Sequence, residues 1–429
     1  MNNFWQKFTT ALKDPILRGR IGFTVLALVI FRALAVIPIP GVDAAQLSKL
    51  LSSNQFFSIF NIFSGGGLSN LSIMMLGVGP FITASIVIQL LTMMFPSWKA
   101  LMHEEGEAGR MKLSQYSRYL AVPLCLVSAT GFMMLLQSQN VLPHLTVSSL
   151  ILNAVVITGG SMLLMWLGEL ISEFGIGNGV SLIIFAGIVA RLPLAVSNFF
   201  AQLAGGTISA GQIPTYIVFL AIAILAVAAT VFITEAERSV PVTYAKQVRG
   251  NKVYGGASTY LPLRLNQAGV IPIIFALSIL ILPQMIAGPL SKASNAVVAN
   301  IAGSVFSFFS NQLFYGIMYF ILVVAFTYFY TAVTFDPKLI SENLQQSGAF
   351  IPGVRPGEHT QDYLANIVTR ITLVGALFLG LIAVLPIIIQ AFNSGNRTIT
   401  IGGTALLIVV SVVLDLLKKI DAQVAMREY

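Results

Sequence analysis

The residues of this chain whose types could do acid–base, nucleophilic or metal chemistry are few: His103, His144, His359, Cys125 and a handful of carboxylates. His103 opens the run HEEGE, but a zinc-binding helix needs a second histidine four residues on, and position 107 is Glu107. A serine nucleophile needs a base within hydrogen-bond reach, and all three histidines fall in loops or at their edges, away from the apolar stretches. Cys125 is the single cysteine, which excludes an intramolecular disulfide and a thiolate-ligated cluster; its apolar surroundings read as those of a small buried side chain. GLSNLSIMMLGVGP lacks the Gly-Lys-Ser/Thr ending of a phosphate loop. GIGNG (175–179) lacks the strand and the later acid of a dinucleotide site. Nothing here points to an enzyme, a cofactor or a bound metal.

Coupled transport is the other chemistry to weigh, and it needs ionisable groups near the middle of a membrane. The deep candidates are Arg32 and, near the ends of apolar stretches, Glu169, Glu173 and Asp415. That set is thin for a pump or symporter, so whatever drives transport is expected to come from outside the chain. Arg32 reads as a structural partner for a carbonyl or a neighbouring helix.

The elements that would position these residues are membrane spans. The chain has 429 residues, 56% hydrophobic and only 9% charged, far from the roughly 25% charged residues of a soluble domain. Apolar stretches of about 20 residues, the length that crosses the hydrocarbon, recur at 19–38, 71–95, 119–138, 150–171, 180–201, 213–234, 268–289, 311–333, 366–391 and 398–417. The polar N-terminal segment is followed by no small-residue cleavage site, so the first span is expected to stay as an anchor. With both termini cytoplasmic, 19 Lys and Arg fall on the cytoplasmic side and 4 on the other, the bias of the positive-inside rule. The net charge of +8 is then a topology signal and needs no nucleic acid. Ten spans divide five and five, 1–212 and 213–429, and an odd number per half inverts the second half relative to the first. The fold class is therefore an all-α polytopic membrane protein with ten transmembrane helices in two inverted halves.

Two cytoplasmic loops are long, about 235–267 and 335–365. The first alternates apolar and polar residues through RSVPVTYAK and again at STYLPLRL, around the turn RGNK, which predicts a projecting β-hairpin-like arm with a basic tip. The second holds the turn Gly353-Val-Arg-Pro-Gly357, which displays Arg355. Two arms on one face favour docking of a large cytoplasmic partner. One stretch fits no simple span: FNIFSGGGLSNLSIMMLGVGP (60–80) is apolar yet broken by glycines, ahead of the clean run FITASIVIQLL.

That stretch, with IPIPG (37–41), EGEAGRMKLSQYSRYL (105–120), GIGNGVSLIIFAGIV (175–189), VYGGASTYLPLRLNQAGVIPIIFA (253–276) and GVRPG (353–357), resembles the bacterial SecY family over nearly the whole chain and in order. The resemblance implies the central, pore-forming subunit of the general secretory translocon in the bacterial inner membrane. Such a subunit passes unfolded preproteins across and releases hydrophobic segments sideways into lipid. It implies that 61–74 is a re-entrant half-helix, a plug carrying Asn61, Phe63, Ser64, Gly65, Gly66, Gly67 and Leu68, with Gly77 and Pro80 as the joint before the second span. Glycine costs a helix about 1 kcal/mol relative to alanine, so such a plug is expected to unwind or swing out readily.

The resemblance further implies a pore ring of Ile82, Ile86, Ile184, Ile188, Ile274 and Ile408. Residues four apart share a helix face, which supports the first two pairs. An apolar ring excludes water and ions by dewetting and offers a passing peptide nothing to bind. Thr92 and Asn266 match polar positions of a lateral gate between the second and third spans and the seventh and eighth. Lys246, Arg249, Lys252 and Arg355 would receive the ribosome or the motor ATPase SecA, with SecE clamping the halves and SecG peripheral. From the residues alone, a secondary transporter with an inverted repeat and a membrane scaffold or insertase without an aqueous pore stay open as alternatives.

Overall fold

The computed structural model describes residues 14–39, 64, 66–68, 70–95, 97–98, 101, 106–138, 142, 146–190, 193, 197, 200–201, 213–245, 247–249, 252–254, 258–291, 295–392 and 403–428. Helix α1 (Pro15–Leu34) starts where Asp14 accepts the Ile16 amide at 2.9 Å and Pro15 supplies a pre-set φ. It buries a stripe of Leu17, Thr24, Ala27 and Phe31 and leaves Val25, Leu26 and Val29 more than half exposed. Helix α6 (Ile213–Glu235) does the same with Leu225 and Phe232, 71% and 73% exposed. Side chains of that size and number on the outside belong against lipid. Among the described residues, five stretches have the length and composition to cross a membrane, 106–137, 147–174, 271–288, 312–346 and 358–389.

The second expected span does not begin at 71. Residues 70–78 form turns, Gly77 has φ +61°, and α2 (Gly79–Met94) begins only where Pro80 sits in its first turn. Helix α3 (Gly106–Ser138) starts well ahead of the expected 119 and runs 33 residues, about 50 Å. Hydropathy marks where a helix meets lipid, and the Glu, Ala, Arg, Met, Lys and Gln of 106–118 continue it into water as good helix formers. Helix α4 (Val147–Phe174) turns into α5 (Gly179–Val189) through GIGNG. There the Gly179 position lies directly on the Gly168 carbonyl, with no room for a Cβ. The Ser172 hydroxyl accepts the Gly179 amide at 2.8 Å and Thr24 of α1 accepts the Ile176 amide at 3.2 Å. That motif is a packing device between three helices.

In the second part of the chain, α7 (Ile271–Leu290) and α9 (Gln312–Thr334) flank an unexpected α8 (Ala296–Ser310), capped by Asn295 and too short to span. Helix α10 (Pro337–Gln346) is capped by Asp336, which accepts the Lys338 amide at 3.0 Å. Helices α11 (Glu358–Phe392) and α12 (Gly403–Glu428) again extend beyond their apolar cores. Helix α7 packs on α2 and α3 on one side and on α8, α9 and α11 on the other, and α12 packs on α5 and α6. The N- and C-terminal parts thus meet along two seams.

The two long loops fold together. Strand β1 (Glu237–Tyr244) pairs antiparallel with β4 (Ser258–Arg264), from Glu237 opposite Arg264 to Thr243 opposite Ser258, and the hairpin continues as β2 (Gln247–Arg249) with β3 (Lys252–Tyr254). The other edge of β1 takes β5 (Ala349–Phe350) from the second loop. The two arms are therefore one sheet, ordered β4-β1-β5. Its apolar face, Val240, Val242, Leu263 and Ala349, closes on Leu364, Ile367 and Val368 of α11.

Candidate functional site

The isoleucines at 82, 86, 184, 188, 274 and 408 come from α2, α5, α7 and α12 and fall in one hydrophobic cluster, 1–7% exposed. Around them are Phe31 of α1, Ile171 of α4, Tyr319 of α9 and Leu379 of α11. Two nearby hydroxyls turn back on their own helices: Thr83 donates to the Gly79 carbonyl at 3.1 Å and Ser278 to the Ile274 carbonyl at 2.9 Å. Among the described residues this cluster contains no charged side chain. Its polar groups include Tyr319, whose buried hydroxyl has no hydrogen-bond partner among the described residues. Glu169 lies apart, paired with Arg118 at 2.8 Å, and Asp415 pairs with Lys419 at 3.1 Å; Glu173 is exposed.

The glycine-broken stretch lies against this cluster. Asn61, Phe63 and Gly65 fall outside the described residues. Where a half-helix was expected, the described residues between Ser64 and Val78 make a strap of successive turns: Gly67 donates to the Ser64 carbonyl at 3.1 Å, Ser72 to Gly67 at 2.9 Å and Met75 to Ser72 at 2.9 Å. Serine side chains compete for the backbone in this way and favour turns over helix; Ser64 Oγ accepts the Leu68 amide at 3.1 Å and Ser72 Oγ the Met74 amide at 3.2 Å. Two bonds tie the strap to the segment after α1, Ile39 to the Leu71 carbonyl at 2.8 Å and Ile73 to the Ile37 carbonyl at 3.0 Å.

The strap is held more firmly than its glycines suggest. Met74 and Val78 sit in the isoleucine cluster, while Leu68, Leu71, Met75 and Leu76 pack with Phe132 and Leu136 of α3, Ile157 of α4 and Ile281 of α7. Gly67 and Gly160 allow this closeness. A Cβ at 67 would stand 2.8 Å from the Met74 carbonyl oxygen, and one at 160 would collide with the Ile73 carbonyl. Leu71, at φ +44°, carries strain of about 1–2 kcal/mol. Displacing the strap therefore means replacing its apolar contacts, and glycine's pliability alone does not supply that.

Thr92 and Asn266 are both buried, in the last turn of α2 and just before α7. No hydrogen bond joins them. Thr92 Oγ1 donates to the Gln89 carbonyl at 2.6 Å within its own helix, and the side-chain oxygens of Gln89 and Asn266 are buried without partners among the described residues. Such orphans cost about 1–3 kcal/mol each.

Arg249 and Lys252 face each other in register at the tip of the hairpin; Lys246 lies outside the described residues. Arg355 is exposed on a turn with Gly353 at φ +84° and Gly357 at φ +96°. The turn is pinned by Thr360 donating to the Arg355 carbonyl at 2.9 Å and Ser341 to the Gly357 carbonyl at 2.7 Å.

The SecY family model matches residues 72–417. The chain is 42% identical over 440 residues to the protein translocase subunit SecY of Corynebacterium glutamicum, covering 98% of each. It is 40% identical over 436 residues to that of Thermotoga maritima, covering 99% of this chain and 97% of the relative.

The chain belongs to the SecY family.

Its fold is that of solved SecY and Sec61 channels. A protein-conducting channel superposes with TM-score 0.67 at 20% identity over 96% of this chain and 94% of the other. Sec61 in a canine ribosome–channel complex superposes with TM-score 0.63 at 18% identity over 96% and 94%. Like its SecY relatives, the chain is a multi-pass, all-α membrane protein. Within this SecY fold, besides α8, three features went unseen in the sequence. The strap's bonds to 37–39 are long-range and leave no periodicity, and a two-residue β5 is too short to be read. Asp336-Pro337 was a legible start signal for α10.

Proposed function

We propose that the chain is the pore-forming subunit of the secretory translocon, passing unfolded preproteins between its two halves and releasing apolar segments into lipid. The observation that carries this reading is the convergence of the six isoleucines from α2, α5, α7 and α12 in one uncharged cluster, with Met74 of the strap buried against them. The cluster is the resting seal and the strap is the plug, which an entering chain displaces by substituting its own apolar contacts. The ten spans form inverted halves, 1–212 and 213–429, with both termini cytoplasmic in the bacterial inner membrane. The seam of α7 against α2 and α3 is the lateral gate; the orphaned oxygens of Gln89 and Asn266 make its closed form easier to leave.

The joined cytoplasmic sheet and its turn are the platform for the ribosome and SecA. Lys246, Arg249, Lys252 and Arg355 are the contacts, and the planar arginine forks suit carboxylate or phosphate. SecE clamps the halves and SecG lies peripheral. The test is disulfide trapping, with Cys125→Ser and single cysteines at Ile86 and Ile408, against a stalled precursor carrying one cysteine. Cross-links at both positions that depend on a functional signal sequence are expected. Their absence in a normally assembled protein would sink the pore path and favour a transporter or scaffold.

A further inference from the structure

A groove of about 560 Å³ lies where the cytoplasmic sheet meets α11, lined by Arg238, Tyr363, Asn366 and Arg370 above Ile371 and Val374. Two periodicities build it. Arg238 shares the face of β1 that buries Val240 and Val242, so side-chain alternation turns it towards α11 at the end of the sheet's apolar face. On α11, Tyr363, Asn366, Arg370 and Val374 follow one another at helical spacing and share one face. Both arginines are exposed, and neither has an ion-pair partner among the described residues. No carboxylate lines the groove; Glu237 and Asp362, next in sequence to Arg238 and Tyr363, are exposed and outside its lining, and Glu235 is engaged by Lys418 at 2.8 Å.

The groove also sits at a fixed depth. Arg370 is the last charge of α11 before a run of more than 20 uncharged residues, and a tyrosine and arginines at such a boundary mark the membrane–water interface. Below Arg370, the exposed side chains Val374, Leu377, Leu381 and Ile388 continue the same face down the helix. Cations at the headgroup level above an apolar track match one ligand in both parts, a phosphate diester carrying acyl chains. A free phosphate would use the arginines and leave the track and most of the volume unfilled.

We propose that Arg238, Arg370 and Tyr363 bind the headgroup of an anionic phospholipid whose acyl chain lies along Val374, Leu377 and Leu381. Basic pockets at this level are the usual form of lipid-headgroup sites. The site rests on the membrane reading of α11, and the orientation proposed above enters only in assigning it to the cytoplasmic leaflet. The test is native mass spectrometry of the full chain purified in detergent, titrated with phosphatidylglycerol, phosphatidylethanolamine or inorganic phosphate.

Phosphatidylglycerol should bind selectively. Arg238→Gln with Arg370→Gln should weaken it about thirtyfold, as two basic contacts imply, and Arg238→Lys with Arg370→Lys should retain most of it. Val374→Glu, which keeps both arginines, should also expel the anionic lipid and serves if the double glutamine variant does not assemble. An equal loss from Lys338→Gln with Lys419→Gln, which changes charge equally outside the groove, would overturn the site. So would equal binding of phosphatidylethanolamine, or competition by inorganic phosphate at the lipid's own concentration. None of these readouts depends on translocation, so failure here would leave the channel reading standing.

Discussion

The isoleucine cluster and the sheet of the two long loops are both apolar cores, yet they are held in opposite ways. In the cluster, side chains from α2, α5, α7 and α12 touch without a single cross-helix hydrogen bond between the isoleucines, which have no polar atoms to offer. In the sheet, β1 is held in register on both edges by backbone pairing, and its buried face is closed by Leu364 and Ile367. Contacts without direction can part around another chain and close again on any side chain. Contacts with direction hold β4, β1 and β5 in one geometry. The difference teaches where this fold tolerates motion and where it needs shape.

The sharpest way to break the comparison is at the cluster. Ile86→Gly or Ile188→Gly removes contacts worth about 2–5 kcal/mol each, and the resting conductance in planar bilayers should rise about tenfold or more while Ile→Val at the same positions stays near the parent. An unchanged conductance would mean the seal lies elsewhere. At the sheet, Val242→Asp buries a carboxylate among Leu263, Leu364 and Ile367. A cost of about 3 kcal/mol or more should strip hydrogen-exchange protection from 237–264 and from 349–350 together, leaving the membrane helices protected. Loss from β1 and β4 alone would show that β5 is an independent arm.

A smaller effect is expected where the strap crosses α4. Gly160→Val forces the Ile73 carbonyl away at about 1–3 kcal/mol. It should give a leak well below that of the glycine ring variants, because the isoleucines remain; a leak as large as theirs would make the strap the principal barrier. Smallest in stability is Arg355→Glu on its exposed turn, within about 0.5 kcal/mol. It should leave the melting temperature unchanged and weaken SecA or ribosome binding in a sedimentation assay, whereas unchanged binding would remove Arg355 from the platform.

Much of this architecture was legible because its causes are local. Apolar runs located the membrane cores of α3, α4, α7, α9 and α11, and alternation of RSVPVTYAK announced the hairpin. Helix ends were not legible where polar helix formers carry on into water, as in 106–118 of α3. Nor was α8, whose 15 residues lie along its neighbours without crossing anything. At the site, Ile82 with Ile86 and Ile184 with Ile188 had at least helical spacing, whereas Ile274 and Ile408 each stand on their helix without a partner in the proposed ring, among other apolar residues, and only family resemblance singled them out. The strap reads as flexible from its glycines, yet its firmness comes from partners on α3, α4 and α7 more than 50 residues away in the chain.

Helix α11 joins the two regions that differ so much. Its first turns seat the sheet through Leu364 and Ile367, and the same 35-residue helix carries Leu379 and Ile382, and beyond Pro386 also Ile387, into the isoleucine cluster. From Leu364 to Ile382, short of Pro386, is about 27 Å of helical rod, so a tilt of about 3° imposed at the sheet displaces that end by about 1.4 Å. A body docked on the arms as proposed, if it tilted α11, would move most the end that rests among the isoleucines.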